Sequence, residues 1–383
     1  MDNYDDIKSY FDSLNKEDII FKDSETVFDV CKIIVCERYG SEEDDRETYW
    51  ENVKNLSALM LCSQPWYSCE DATNKRKAKM IVGYISDDIY LKHDTGEGHP
   101  ESKERLIAIE DAMDDLKDKL AIIYPFKAST KILSLVHPNQ YISYIQECCE
   151  DGIAIDDDTI TSVESYEVAL KAVGAGIVAV DAIVNKRIDR AFASVRPPGH
   201  HASKQKAMGF CLFNNIAVTA RYAQEQGYKK VFIIDFDVHH GNGTQDIFYD
   251  DNSVFYFSTH EEMSFPGTGS TKEIGVDEGE GFNFNHRLAY GSGDEDILRV
   301  YKEILPPLVQ KFNPDIILVS AGYDIHESDP LAGLNVTTQG IRELVHEILA
   351  LKDVPYIFML EGGYDTQALG ESVRVTVEEM LVK

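Results

Sequence analysis

Short apolar runs recur along the chain at Met80 to Tyr84, Ala191 to Val195, Val231 to Ile234, Val254 to Phe257, Ile316 to Val319 and Tyr356 to Leu360. Each is rich in β-branched or aromatic residues and too brief for a buried helix, which is the pattern of a strand covered on both faces. Between them lie stretches with helical spacing, among them Val163 to Asn185, Asn214 to Gln226, Glu295 to Lys311 and Thr338 to Leu351. Strands alternating with helices predict an α/β domain built on a mainly parallel sheet. The longest apolar stretch, Ala172 to Val184, is interrupted by Asp181 and is too short to span a bilayer. Its Gly174, Ala175, Gly176 and Ala179 suit a closely packed internal helix. Residues 1–79 read differently. Val27, Val30, Cys31 and Ile34 share one helix face, as do Val53, Leu56 and Met60, with a loop over Gly40 to Asp45 between them. The expectation is a small acidic helical extension over 1–79, followed by the main domain over 80–383.

Charge sharpens this picture. With 67 acidic and 37 basic residues the net charge is −30. Such a surface repels nucleic-acid phosphates and excludes direct nucleic-acid binding as the expected role. It favours cationic ligands such as lysine-rich peptides or polyamines. Seven cysteines form no paired Cys-x-x-Cys arrangement, so neither a zinc finger nor a disulfide framework is indicated. No signal-type apolar core follows the acidic start Met1 to Asp6. A cytoplasmic protein without a membrane partner is expected, or a nuclear one in a eukaryotic cell. The oligomeric state is left open.

Candidate chemistry sits directly behind the strands. Val231 to Ile234 runs into Asp235-Phe-Asp237-Val-His239-His240. Residues two apart on an extended chain point the same way, so Asp237 and His239 can converge on one metal ion, with Asp235 behind them. Three other strand candidates end in short polar loops: Arg196-Pro-Pro-Gly-His200-His201, Ala321-Gly-Tyr-Asp324 and Glu361-Gly-Gly-Tyr364. Parallel neighbours would open all four loops on one carboxyl edge, where open α/β sheets place their ligands. Asp237, His239 and Asp324 would give a metal three ligands and leave a position for water. A histidine nearby could move the water's proton to a leaving amine, and a tyrosine hydroxyl could stabilise an oxyanion. The combination points to amide hydrolysis. Taken singly, each residue also has a plain structural use: a turn former, a hydrogen-bonded histidine, a helix N-cap at Asp324.

These residues carry a family resemblance. Arg196-Pro-Pro-Gly-His-His201, Gly209-Phe-Cys-Leu-Phe-Asn-Asn215, Asp235-Phe-Asp-Val-His-His-Gly-Asn-Gly243, Phe265-Pro-Gly-Thr-Gly269, Ser320-Ala-Gly-Tyr-Asp324, Asp329-Pro-Leu331 and Glu361-Gly-Gly-Tyr364 resemble, in order, the zinc-dependent histone deacetylase family. His99-Pro-Glu-Ser-Lys-Glu-Arg105 resembles its N-terminal motif. The resemblance implies the three-layer arginase–deacetylase fold, a mainly parallel sheet of about eight strands between helices. It implies zinc at Asp237, His239 and Asp324, with ferrous iron an admissible alternative. It further implies His201 as general base and later acid, His200 as its electrostatic partner held by Asp235, and Tyr364 as the group that binds the substrate carbonyl. Gly209, Phe210, Phe265 and Leu331 match the channel for the acyl-lysine stem. Asp235 and Ser258, with backbone around Asp237 and His239, match a structural potassium site. Asn242 stands where one branch carries aspartate, which resembles the class II proteins and their bacterial relatives. Asn283-Phe-Asn-His286-Arg287 departs from the Asn-x-Pro-Leu of many members.

The reaction this implies is hydrolysis of Nε-acetyl-lysine in a protein or peptide to lysine and acetate through a metal-bound water. The alternative is deacetylation of an acetylpolyamine or another small acetylated amine. Leu331 stands where a polyamine-deacetylating branch has a glutamate that reads a distant cationic nitrogen, and its lack of charge leans toward acyl-lysine.

Overall fold

The β-branched runs form strands in the computed structural model, which describes residues 80–382. The strands are β1 (Val82–Ile85), β2 (Ala121–Ile123), β3 (Arg190–Ala193), β4 (Val231–Asp235), β5 (Val254–Glu261), β6 (Asn283–Leu288), β7 (Ile316–Ala321) and β8 (Tyr356–Leu360). They make one sheet in the order β2-β1-β3-β8-β7-β4-β5-β6, and every pairing is parallel. All residues of β4, β5, β7 and β8 are buried, on both strand parities. Helices therefore cover both faces of the sheet, as the alternating sequence pattern predicts. The helical extension expected over 1–79 lies outside the described residues.

Two strands were not evident in the hydropathy pattern, and both are edges. Strand β2 is three residues long and pairs only with β1; β6 pairs only with β5. An edge position tolerates short or polar strands, so the β-branched signal fades there. The stretch Glu295 to Lys311 is helical throughout, with Asp294–Arg299 and Leu305–Phe312 joined by a π-helical turn over Val300–Ile304. Pro306 has no N–H and its ring opposes the carbonyl four residues back, so the ladder widens ahead of it.

The small residues of the helix Ser165–Val184 mark close approaches. A side chain at Gly176 would occupy the place of the Thr219 hydroxyl from the helix Asn215–Glu225, and one at Gly174 would meet the Phe126 carbonyl. The helix is therefore pressed against its neighbour at near-backbone distance. Register then levels the other end of the sheet. Asp235 stands opposite Ser258 on β5 and Ser320 on β7, Ala321 opposite Leu360, and Ala193 opposite Met359. The loops after β3, β8, β7 and β4 consequently leave the sheet side by side. Gly176→Val is expected to lower unfolding free energy by about 1–3 kcal/mol, an overpacking effect read by denaturant or thermal unfolding. An unchanged unfolding midpoint would show that the two helices separate freely.

Candidate metal and active site

The loops behind β4 and β7 deliver two carboxylates to one imidazole. His239 Nδ1 lies 3.1 Å from Asp237 Oδ1 and 3.1 Å from Asp324 Oδ2. One potential ligand atom from each of these residues falls within 4.8 Å of the others. Backbone donors fix the carboxylates: Val238 N donates to Asp324 Oδ1 at 3.0 Å, and Gly362 N donates to Asp237 Oδ2 at 2.8 Å. Asp324 therefore does not cap a helix. Side chains at Gly322 and Gly362 would collide with these carboxylates, so glycine is required for the loops to pass so close. Burial and the neighbouring Asp237 push the Asp324 carboxyl up to about 7. Two buried carboxylates that resist joint ionisation, converging with one imidazole, form a donor set suited to a divalent cation.

Behind this cluster the adjacent histidines have opposite surroundings. His200 Nδ1 is 3.1 Å from Asp235 Oδ2, and Tyr256 donates its hydroxyl to the same oxygen at 2.9 Å. Burial opposes charge on His200, but Asp237 and Asp235 outweigh it and raise the imidazole to about 10. His201 Nδ1 instead meets the Asn242 side-chain oxygen at 2.8 Å. Burial, then the charge of His200 and His239, holds His201 well below the usual histidine range. His201 is thus neutral, with Nδ1–H donated to the amide and Nε2 free to accept a proton. Glu361 fixes the loop that carries both: Gly199 N and His200 N donate to its Oε2 at 2.7 and 3.1 Å, and the Ser320 hydroxyl donates to Oε1 at 2.9 Å.

A cavity of about 370 Å³ leads down to this group and is lined by Gly209, Phe210, Phe265, Leu331, Tyr364, His201 and His239, with His99, Asp157 and Asp158 among the others. Phe265 stands edge-on to His201 at 5.1 Å between ring centres, and Phe210 edge-on to Tyr364 at 5.9 Å. Tyr364 is held from behind. Arg105 donates to the carbonyls of Gly363 and Glu361 at 2.7 and 2.6 Å, and its guanidinium lies 5.1 Å from the Tyr364 ring centre. Asp329 accepts from the backbone N–H groups of Tyr364 at 2.7 Å and Leu331 at 2.9 Å. One carboxylate therefore ties the tyrosine to the channel wall.

The structure brings together Asp235, Asp237, His239, Asp324, His200, His201, Asn242 and Tyr364, and places Gly209, Phe210, Phe265 and Leu331 around the approach. Ser258 is buried beside Asp235 in register, its hydroxyl bonded to His260 Nδ1 at 2.9 Å. Sequence reasoning did not assign roles to Glu361, Asp329, Glu101, Arg105, His137 or Asp158. Several of these lie inside quoted motifs, but a residue that acts through a backbone N–H leaves no spacing signal.

Comparison with known proteins places the chain among relatives of one family. Residues 99–380 match the histone deacetylase domain. Histone deacetylase 10, chloroplastic, of Oryza sativa subsp. japonica is 39% identical over 359 residues, covering 85% of this chain and 80% of that protein. Histone deacetylase 14, chloroplastic, of Arabidopsis thaliana is 40% identical over 310 residues, covering 74% and 73%. The crystal structure of the HDA15 HD domain superposes with a TM-score of 0.76 at 33% identity, covering 79% of this chain and 88% of that one. No helix among the described residues is long and apolar enough to cross a membrane.

His137 gives this scaffold a pH dependence. Its Nε2 accepts from Asn214 N at 3.0 Å and its Nδ1 faces the Lys204 carbonyl at 3.2 Å, so only the neutral Nδ1–H form satisfies both. Burial lowers it to about 4. Above pH 6.5 it is neutral in both folded and unfolded chains and contributes nothing. Between pH 6.5 and 4 the unfolded chain takes up a proton that the folded one refuses, so stability falls as pH falls. The loss from this residue reaches about 3 kcal/mol at full extent. Chemical denaturation across this window is expected to show a shallower decline for His137→Gln than for the parent protein. Parallel declines would remove His137 from the account.

Proposed function

This chain belongs to the histone deacetylase family, and within it we propose a zinc-dependent enzyme that hydrolyses Nε-acetyl-lysine in proteins or peptides. The observation that carries the reading is a narrow aromatic channel ending on a two-carboxylate, one-imidazole cluster with a neutral histidine and a tyrosine beside it. Aromatic faces suit the aliphatic stem of lysine, which small or polar walls would not grip. Asp237, His239 and Asp324 would hold the metal. When bound, a divalent cation there supplies Lewis-acid activation of water and of the acyl carbonyl.

The remaining steps fall to the chain's own groups. His201 Nε2 accepts the proton of the attacking water while Nδ1–H stays with Asn242, which keeps the ring oriented. His200, charged against Asp235, keeps positive potential beside the developing oxyanion. Tyr364 donates its hydroxyl to that oxyanion. His201 then returns the proton to the leaving amine, releasing lysine and acetate. A potassium ion near Asp235 and Ser258 belongs to the same reading as a structural element.

Asp157 and Asp158 at the mouth favour a second reading, since their carboxylates would also attract the distal ammonium of an acetylated polyamine. Assays of purified protein on acetyl-lysine peptides beside N-acetylated putrescine and spermidine separate the two. Turnover confined to the polyamines would reverse the assignment. Tyr364→Phe is expected to lower kcat by about 10²–10³-fold, as for loss of one oxyanion donor, with metal content unchanged. Asp324→Asn is expected to lower stoichiometric zinc binding itself, measured by elemental analysis after dialysis. Full zinc occupancy in that variant would displace Asp324 from the ligand set.

A further inference from the structure

The mouth of the channel has two unlike halves. Behind β5, β6 and β7 lie Met263, Phe265, Tyr290 and Leu331, exposed at 93%, 42%, 83% and 44%. Large apolar side chains are seldom left so open together, and a contiguous group of them marks a contact surface. These four belong to one rim, because backbone hydrogen bonds lace their loops together. Glu262 N donates to Leu288 O at 2.7 Å, and Gly291 N donates to Gly333 O at 2.8 Å. The Tyr290 ring lies over Gly333, where a side chain would collide with it. Phe265 and Leu331 also line the channel, so the exposed rim continues directly into it. Among the charges on this side, Glu262 and Arg287 pair with each other at 3.8 Å, and the buried Glu261 carboxylate accepts from Gly333 N at 3.2 Å.

The Phe210 side of the channel carries Asp157 and Asp158, both exposed, beside His99, whose ring stands edge-on to Phe210 at 4.8 Å. His99 Nε2 lies 3.0 Å from the Asp158 carbonyl, which places that acidic turn against the channel entrance. A small linear polyamine could satisfy the acidic half but has nothing to cover Met263 and Tyr290. A polypeptide can serve both halves at once, because residues on the two sides of the acyl-lysine diverge across the mouth.

Resting on the deacetylase reading above, we propose that the substrate is a polypeptide with an apolar residue on one side of the acyl-lysine and a basic residue on the other. The apolar neighbour packs on Met263 and Tyr290, and the basic neighbour faces Asp157 and Asp158. Met263 and Tyr290 touch neither the metal cluster nor the channel floor, so they set substrate choice rather than chemistry.

The test uses the full chain with zinc and four substrates: Nα-capped acetyl-lysine amide, two acetyl-lysine peptides flanked by leucine and arginine in either order, and the same peptide flanked by serines. One leucine–arginine order is expected to exceed the serine peptide in kcat/KM by about tenfold, the scale of one partly buried apolar side chain. The double variant Met263→Ser, Tyr290→Ser is expected to lose that advantage through KM, while turnover of acetyl-lysine amide stays unchanged. Anisotropy of fluorescein-labelled peptides provides the same comparison by binding. Tyr290→Phe, which keeps the ring, is expected to restore most of the preference when Met263 is intact. Equal handling of the peptides by the parent protein, or a preference that survives the double variant, would overturn the proposal. So would a double variant that alters the sedimentation mass and leaves peptide kinetics alone, since the rim would then cover a second copy. Failure of the parent protein to hydrolyse even acetyl-lysine amide would instead sink the underlying deacetylase reading.

Discussion

Asp237 and Asp324 are buried within reach of the same His239 nitrogen, at 3.1 Å each. Like charges in a low-dielectric interior oppose one another, and here one carboxyl is pushed up to about 7 in consequence. Such a pair is a reservoir of unfavourable electrostatics that a cation would discharge. Much of the local architecture exists to hold it in place. Three parallel strands, β4, β7 and β8, must be adjacent for the loops to meet. Gly322 and Gly362 must lack side chains for those loops to pass the carboxylates. Backbone N–H groups of Val238, His239 and Gly362 then offset part of the charge without adding a countercharge that would compete with a metal.

The tyrosine side of the site depends on a different buried charge system. Glu101 bridges Arg105 and Arg196, and all three are fully buried. Two guanidiniums against one carboxylate leave a positive surplus, which carbonyls absorb: those of Tyr90 and His93 for Arg196, and those of Gly363 and Glu361 for Arg105. His93 stays out of the balance because burial lowers it to about 4. Breaking such a set by removing one member leaves an uncompensated charge, a loss of about 3–5 kcal/mol in comparable buried pairs. The return is positional. The Gly362-Gly363 turn, which has little conformational restraint of its own, is pinned by Arg105 from one side and by Asp329 from the other.

The sequence made the centre of this molecule legible and its periphery much less so. Strands β4, β5, β7 and β8 are buried on both faces, so their composition alone announces them. Their polar loop residues stand out because charge directly after such a run has few other uses. The edge strand β6 carries Asn283 and Asn285, both buried and both donating to the Gln245 side chain, and its polarity masked it. That stretch, which departs from the family's usual pattern, is a strand whose asparagines brace the segment before Glu273. The supporting residues were opaque for another reason. Glu361 acts on Gly199 N and His200 N, and Asp329 on Tyr364 N, all far away in sequence, and only the sheet order, with β8 between β3 and β7, brings those partners to them. Residues 1–79 lie outside the described structure, and the helical reading of them stands as an expectation.

Two adjacent histidines with unlike protonation show how finely the site's polarity depends on single substitutions. His200 has a carboxylate partner and is raised to about 10; His201, bonded only to the Asn242 amide, is lowered by its burial and by the charges of His200 and His239. The contrast is self-reinforcing, because the charged ring of His200, 4.0 Å from that of His201 between centres, is one of the groups that keeps its neighbour neutral. Two neighbouring imidazoles cannot both hold a proton cheaply in a buried site, so the carboxylate decides which one does. An aspartate at position 242 would give both rings a counterion and weaken that division. With an amide there, the fixed positive charge belongs to His200 and the mobile proton to His201. In the proposed mechanism, the base and its charged stabiliser are thereby separated by a single peptide unit.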